Sequence, residues 1–140
     1  MSSAAPTPAL GAKAKPPLRR RLRRAFWLFA LAFGLLAAAY VTLMVRFSYS
    51  SGERAGYVQK FSHKGWLCKT WEGELAMANL PGTMPEVFAF TVWDESVAGR
   101  INGLMGQRVV LHYMEKVGLP TSCFGETRHF VDGVRPVTQP

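Results

Sequence analysis

With 140 residues and a formal net charge of +8, the chain has room for one folded domain plus appendages. Seven of its 17 Lys and Arg residues precede residue 26, whereas from Arg46 onward ten basic residues balance nine acidic ones. The basicity therefore belongs to the N-terminal segment. A folded nucleic-acid-binding domain carries its own basic face, so the charge distribution argues against that class.

Residues 1–25 open with a segment rich in Ala, Pro and Ser, "MSSAAPTPALGAKAKPP", which has almost nothing to bury. We predict that residues 1–25 form a disordered, basic cytoplasmic tail. The tail ends in a basic cluster that we interpret as a topology signal and a contact for anionic lipid headgroups. The cluster consists of Arg19, Arg20, Arg21, Arg23 and Arg24.

The next segment, "FWLFALAFGLLAAAYVTLMV", is a run of twenty residues without a charge. Twenty helical residues span about 30 Å, the thickness of the hydrocarbon core, so we predict a transmembrane helix at residues 26–46. The arginines before it place the N-terminus in the cytoplasm and the C-terminal domain outside, as in a signal-anchor. A cleaved signal peptide is the alternative, because residues 37–39 resemble a cleavage site. The apolar run continues for six residues beyond that site, which favours the uncleaved anchor.

Small residues recur at every fourth position of this helix. Ala30, Gly34 and Ala38 would share one helix face and let a second helix approach closely. They are therefore candidates for self-association or for contact with another membrane protein.

After a short polar linker at residues 47–54, we expect one domain at residues 55–135 and a C-terminal tail at residues 136–140. Three strand-like runs precede a segment of helical spacing, and two further strand-like runs follow it. Asp94 is the predicted N-cap of that helix and Gly106 its predicted end. The order β-β-β-α-β-β predicts a small, mainly-β, OB-like barrel, with an irregular α+β sandwich as the alternative.

The chain has two cysteines, Cys68 and Cys123, and both lie in the domain predicted to be outside the cytoplasm, where disulfides persist. We therefore predict a disulfide between them. Two separate buried thiols are the alternative. His63, His112 and His129 add possible metal ligands, but the spacing of these residues matches no metal-binding motif, and we predict neither a metal nor a cofactor.

Glu72 and Glu74 alternate with Trp71 and Leu75 along the second predicted strand, "CKTWEGEL". We expect Trp71 and Leu75 to face the core, and the two glutamates to face solvent or a partner. A pair of catalytic carboxylates in a hydrolase is the alternative hypothesis, because residues i and i+2 of a strand lie about 6.6 to 7 Å apart. We predict no catalytic residue.

Two aromatic residues fall where binding residues concentrate. Trp66 lies at the predicted turn after the first strand, and Phe124 lies in the loop before the last one. Together with Glu72 and Glu74, they are the candidate contacts for a partner or ligand.

The domain, from "SGERAGYVQKFSHKGWLCKTWEGELAM" through "RVVLHYMEKVGLPTSCFGETRHFV", resembles an uncharacterised family of short bacterial single-pass inner-membrane proteins. Some members of that family carry the label 6-phosphogluconate dehydrogenase. The residues do not fit that label, because the chain has no G-x-G-x-x-G turn for a dinucleotide and is too short for two enzyme domains. The resemblance implies an inner-membrane protein with a periplasmic domain.

These observations together predict a non-enzymatic binding or accessory protein of the bacterial envelope. Its expected partners are the lipid bilayer and another envelope membrane protein. The alternatives are an envelope hydrolase and an OB-type binder of nucleic acid or oligosaccharide, and nucleic acid is disfavoured by the predicted location.

Overall fold

The computed structural model describes residues 17–77, 82, 84 and 86–138. Residues 1–16 of the predicted disordered tail and residues 139–140 of the predicted C-terminal tail lie outside this described part. The chain divides into two compact units, Met1–Ala38 and Ala39–Pro140, so the last turns of the first helix belong to the second unit.

The first helix, α1, spans Leu18–Arg46 and is long and apolar enough to cross a membrane. It begins eight residues before the predicted start at residue 26. The prediction that residues 18–25 are disordered is therefore wrong. Residues 18–25 consist only of Leu, Arg and Ala, which are among the best helix formers, so the helix continues through the basic cluster.

Five strands and one further helix form the rest of the second unit. They are β1 (Ser50–Lys64), β2 (Thr70–Met77), β3 (Val87–Val92), α2 (Glu95–Gly103), β4 (Arg108–Glu115) and β5 (His129–Pro136). A single 3₁₀ turn, Ser122–Phe124, lies between β4 and β5. The predicted order of strands and helix is thus confirmed.

The strands pair in the closed order β1-β2-β3-β5-β4, and β4 pairs again with β1. All neighbours are antiparallel except β3 and β5, which are parallel. The ring closes because β1 is 15 residues long: its first half pairs with β4 and its second half with β2, with a bulge between Val58 and Lys60.

The predicted linker at residues 47–54 is too long. β1 begins at Ser50, and residues 50–54 already pair with β4, from Ser50 opposite Glu115 to Arg54 opposite Leu111. The polar composition of this stretch is typical of a linker. It belongs to the strand because the partner β4 supplies the hydrogen bonds, which the local sequence does not reveal.

The core of the barrel is formed by apolar side chains from every strand and from α2, and its largest fully buried members include Phe90, Leu75, Ile101 and Leu111. Burial of such a side chain contributes about 1.5–3 kcal/mol. Gly73 also faces this core, because a Cβ atom there would lie 2.3 Å from Cζ of Phe90. Trp71 is only partly buried and packs at the edge of the core.

Helix α2 begins after Asp94 as its sequence predicts, but it ends at Gly103 with Leu104 as the C-cap, before the predicted end at Gly106. The Asp94 side chain accepts a hydrogen bond of 2.7 Å from the backbone N–H of Ser96, which caps the N-terminus. The pKa of Asp94 lies below its usual value, first because of a hydrogen bond with the Ser96 side chain and second because of this bond from the Ser96 backbone. The amphipathic helix then buries Val97, Ala98 and Ile101 against the barrel.

Candidate interaction site at two disulfide-linked loops

The predicted disulfide is present and joins two loops. Cys68 lies in the β1–β2 loop (residues 65–69) and Cys123 in the β4–β5 loop (residues 116–128), with their Cα atoms 5.0 Å apart. The β4–β5 loop is closed at its base, where the backbone N–H of Lys116 donates to the carbonyl of Arg128 at 2.9 Å. The two loops are therefore held together covalently, over a sequence separation of 55 residues.

The tip of the β1–β2 loop presents two apolar side chains to solvent. Trp66 is 97% exposed and Leu67 is 84% exposed. The turn that presents them requires glycine at position 65, because its φ is +129° and a Cβ atom there would lie 1.8 Å from the carbonyl oxygen of Cys68. A tight turn and a disulfide thus fix the backbone on which this exposed pair stands.

A cleft of about 280 Å³ lies between the two loops. It combines apolar groups with hydroxyl groups and one charged residue from each side. Its lining includes Lys64, Trp66, Leu67, Thr70, Ser122 and Glu126. The Lys64 ammonium and the Glu126 carboxylate are 3.5 Å apart, which adds an exposed ion pair between the end of β1 and the β4–β5 loop.

The expectation that Glu72 faces solvent is wrong, since the residue is 5% exposed. Its carboxylate accepts hydrogen bonds from the hydroxyls of Thr70 and Thr91, both at 2.8 Å, and from the backbone N–H of Glu126 at 3.1 Å. Thr91 in turn lies 2.9 Å from the hydroxyl of Thr127. Alternation does place Glu72 on the outer face of the barrel, but the β4–β5 loop covers that face. Glu72 therefore fastens the loop to β2 and β3.

Glu74 does face solvent, as expected, and its carboxylate lies 3.1 Å from the ammonium of Lys60. Both glutamates line a recess of about 60 Å³. Ligand pockets usually measure about 300–1,000 Å³, so this recess is too small for a sugar unit. The structure brings the two carboxylates to one recess but gives them different environments, one buried and one exposed.

Phe124 contributes its backbone to a local contact. Its carbonyl oxygen accepts a hydrogen bond from the indole N–H of Trp93, whose ring packs on Phe130 with centroids 4.3 Å apart. The Phe124 side chain itself is half-buried. Its predicted role as a partner contact, like that of Trp66, stays a prediction.

Lys116 was not anticipated from the sequence. It is only 6% exposed, and its ammonium donates a hydrogen bond to the carbonyl of Val45, at the C-terminal end of α1. The same ammonium lies 5.6 Å from the centre of the Trp93 ring. A cation at the C-terminus of a helix is favourable because the last carbonyls there lack intrahelical donors. In the sequence Lys116 is one more lysine before a glycine-containing loop, and no local signal marks it.

The other predicted residues lie on α1. Arg19, Arg20, Arg21, Arg23 and Arg24 are exposed on the helix, in keeping with contact with solvent or headgroups. Ala30, Gly34 and Ala38 recur at four-residue spacing, and a Cβ atom at Gly34 would meet nothing within 4 Å. Their proposed helix–helix contact stays a prediction.

Within the described ranges, no group of three or more His, Cys, Asp or Glu residues could hold a metal ion. Comparison with known proteins adds no family: no protein-family model matches the chain, and a search of curated proteins finds no significant similarity.

Proposed function

We propose that this chain is a membrane-anchored, non-enzymatic binding or accessory protein of the bacterial envelope. Its helix α1 anchors it in the inner membrane, and its barrel lies outside the cytoplasm and binds another envelope membrane protein. The observation that carries this proposal is the exposed pair Trp66 and Leu67 on a covalently fixed loop.

The envelope location is supported by two independent features. A helix with the length and composition of a membrane span follows a cluster of arginines, which favours a cytoplasmic N-terminus. The barrel contains the Cys68–Cys123 disulfide, a bond that persists in the periplasm and is rare in the cytoplasm. The proposed compartment is thus compatible with the redox state of the domain.

The barrel is best described as OB-like. An OB-fold is a five-stranded Greek-key barrel that binds its ligands with the face of strands 2 and 3 and with the β1–β2 and β4–β5 loops. The pairing order, the parallel β3–β5 pair and the position of α2 between β3 and β4 support this identity. The disulfide joins the two loops that an OB-fold uses for binding.

A protein partner fits these loops better than a nucleic acid does. The outer face of β2 and β3 around Glu72 and Thr91 is covered by the β4–β5 loop and is hydrogen-bonded to it. What remains exposed is an apolar tip, and tryptophan is enriched among the residues that dominate protein–protein binding energy. Because the turn and the disulfide fix the backbone of this tip before binding, little conformational entropy is lost on association.

A hydrolase that uses Glu72 and Glu74 is less well supported. Such a pair requires two carboxylates that flank a substrate, with space for the substrate between them. Here the oxygens of Glu72 accept three hydrogen bonds from the protein, and the shared recess holds only about 60 Å³. These contacts give Glu72 a structural role.

Photo-crosslinking in bacterial membranes tests the proposal. A photoreactive phenylalanine derivative replaces Trp66 in the full-length chain, and the crosslinked products are identified by mass spectrometry. We expect one protein to dominate the crosslinked products and to be lost when Leu67 is also replaced by Ser.

Tyr57 provides the matched control. It is an exposed aromatic residue of β1, opposite Ala76 in β2 and Arg108 at the start of β4, and belongs to neither loop. The same photoreactive group at Tyr57 is expected to give no specific product. Equal products from both positions, or none from Trp66, would contradict the proposed binding loop.

A further inference from the structure

The end of α1 is attached to the β4–β5 loop by side-chain contacts. The Tyr40 hydroxyl donates a hydrogen bond of 2.9 Å to the carbonyl of Gly118, and the Lys116 ammonium donates to the carbonyl of Val45. A Cβ atom at Gly118 would lie 3.1 Å from Sδ of Met44, so the Met44 side chain packs against the backbone of Gly118. The last turns of the helix thus pack on the loop.

This attachment fixes how far the loop reaches along the helix. Tyr40 lies six residues before the end of α1 at Arg46, which is about 9 Å along the helix axis. The charge-free run that defines the span continues to Val45. The carbonyl of Gly118 therefore lies on the membrane side of the end of α1, at the level of Tyr40.

A loop at that level cannot lie in hydrocarbon, because the backbone groups of an irregular segment would lack hydrogen-bond partners there. It can lie in the headgroup layer, which supplies polar partners and where tyrosine and tryptophan are enriched. The boundary of the hydrocarbon then falls at the level of Tyr40 or on the N-terminal side of it.

The side chains around this contact have the chemistry that the headgroup layer accepts. Val117 is 42% exposed although it is apolar, and Leu119 is half-buried. Trp93, which packs against the Lys116 ammonium, is partly exposed as well. No acidic residue occurs between Lys116 and Cys123, so this part of the loop does not repel anionic lipids.

We propose that residues 117–119 of the β4–β5 loop, together with Trp93, rest in the headgroup layer of the phospholipid bilayer. The barrel then has a second contact with the membrane beside its helix, and its orientation is fixed. Through the Cys68–Cys123 disulfide, the same loop holds Trp66 at a constant height above the bilayer. This inference rests on the anchoring by α1 in the proposed function, and it does not depend on the identity of the partner.

Site-directed spin labelling of the full-length chain tests the depth of the loop. A ketone-bearing amino acid replaces Val117 and is labelled with a hydroxylamine nitroxide, which leaves Cys68 and Cys123 bonded. The protein is reconstituted in vesicles of phosphatidylethanolamine and phosphatidylglycerol. Power saturation then compares how often the nitroxide collides with oxygen, which enriches in the bilayer, and with a water-soluble nickel chelate.

Val87 is the matched control, because it is an exposed valine (52%) at the far end of β3 from Trp93. We expect a higher ratio of oxygen to nickel collisions at Val117 than at Val87, and loss of this difference when the protein is studied in urea. Equal, water-like ratios at both positions would overturn this inference. If the protein still floated with the vesicles in that case, the anchoring by α1 would remain supported. Failure of the protein to float with the vesicles would contradict both the anchoring by α1 and the placement of residues 117–119 in the headgroup layer.

Discussion

Replacement of Glu72 tests whether its hydrogen bonds hold the β4–β5 loop against β2 and β3. Its carboxylate is the shared acceptor for Thr70 and Thr91 on the strands and for the backbone N–H of Glu126 in the β4–β5 loop. Glu72→Ala removes all three hydrogen bonds and leaves that N–H without its acceptor. Glu72→Gln keeps the shape and one carbonyl oxygen but loses the charge.

The expected magnitudes follow from these contacts. A hydrogen bond to a charged group contributes about 1.5–3 kcal/mol, and water replaces part of what is lost, so Glu72→Ala should lower the free energy of unfolding by about 3–5 kcal/mol. Glu72→Gln should lower it by about 1–2 kcal/mol, because its single carbonyl oxygen can keep the bonds from Thr70 and Glu126 without the help of a charge, whereas its NH2 group cannot accept from Thr91 and can only donate to that hydroxyl. Glu74→Ala removes only an exposed ion pair and should cost less than about 1 kcal/mol.

Urea denaturation of the full chain in detergent micelles, followed by tryptophan fluorescence, measures these differences. The interpretation requires the order Glu72→Ala, Glu72→Gln, Glu74→Ala from most to least destabilised. If the Glu72 and Glu74 variants had equal stability, Glu72 would behave as a solvated surface residue. Its hydrogen bonds to Thr70, Thr91 and Glu126 would then contribute nothing to the free energy of unfolding.

The same assay checks three further predictions. Reduction of the Cys68–Cys123 disulfide should destabilise the domain by about 4 kcal/mol, the chain-entropy value for a loop of this length, and an unchanged urea midpoint in reductant would contradict its role as a staple. Gly99→Ala should stabilise the domain by about 0.5–1 kcal/mol, since a Cβ atom in this helical position meets nothing within 4 Å. Gly73→Ala should destabilise the domain, since its Cβ atom would meet the Phe90 ring, and stability changes of the same sign in both variants would refute the described packing. The pKa of Asp94 is lowered in the folded state, so its contribution to stability is present above its unfolded pKa and is lost as the pH falls through the folded value. The difference in the free energy of unfolding between the original chain and its Asp94→Asn variant should therefore shrink below about pH 4. A difference that stayed constant with pH would contradict the capping role of Asp94.

The parts of the fold that local sequence determines could be predicted. Helix α2 is specified by its own cap at Asp94 and by apolar residues at helical spacing, and the strands by runs of β-branched and aromatic residues. The disulfide was predictable in outline from two cysteines in a domain expected outside the cytoplasm. Each of these features depends on residues close together in sequence or on a simple count.

What could not be predicted depends on contacts between distant segments. The period-2 pattern of β2 places Glu72 on the outer face, but its burial results from a loop 54 residues away along the chain. Residues 50–54 are polar enough for a linker and become a strand only because β4 pairs with them. Lys116 caps a helix end 71 residues before it. Such coverage is a property of the tertiary fold, and a pattern within one element does not contain it.

The proposed function requires that the barrel lie outside the cytoplasm, held at the membrane by α1. Parallel fusions of alkaline phosphatase and β-galactosidase after Pro140 of the full chain test it directly in bacterial cells. Alkaline phosphatase requires its own disulfides and is active only outside the cytoplasm, so we expect phosphatase activity in the membrane fraction and no β-galactosidase activity. Activity from the β-galactosidase fusion alone would place the barrel in the cytoplasm and contradict the proposed function.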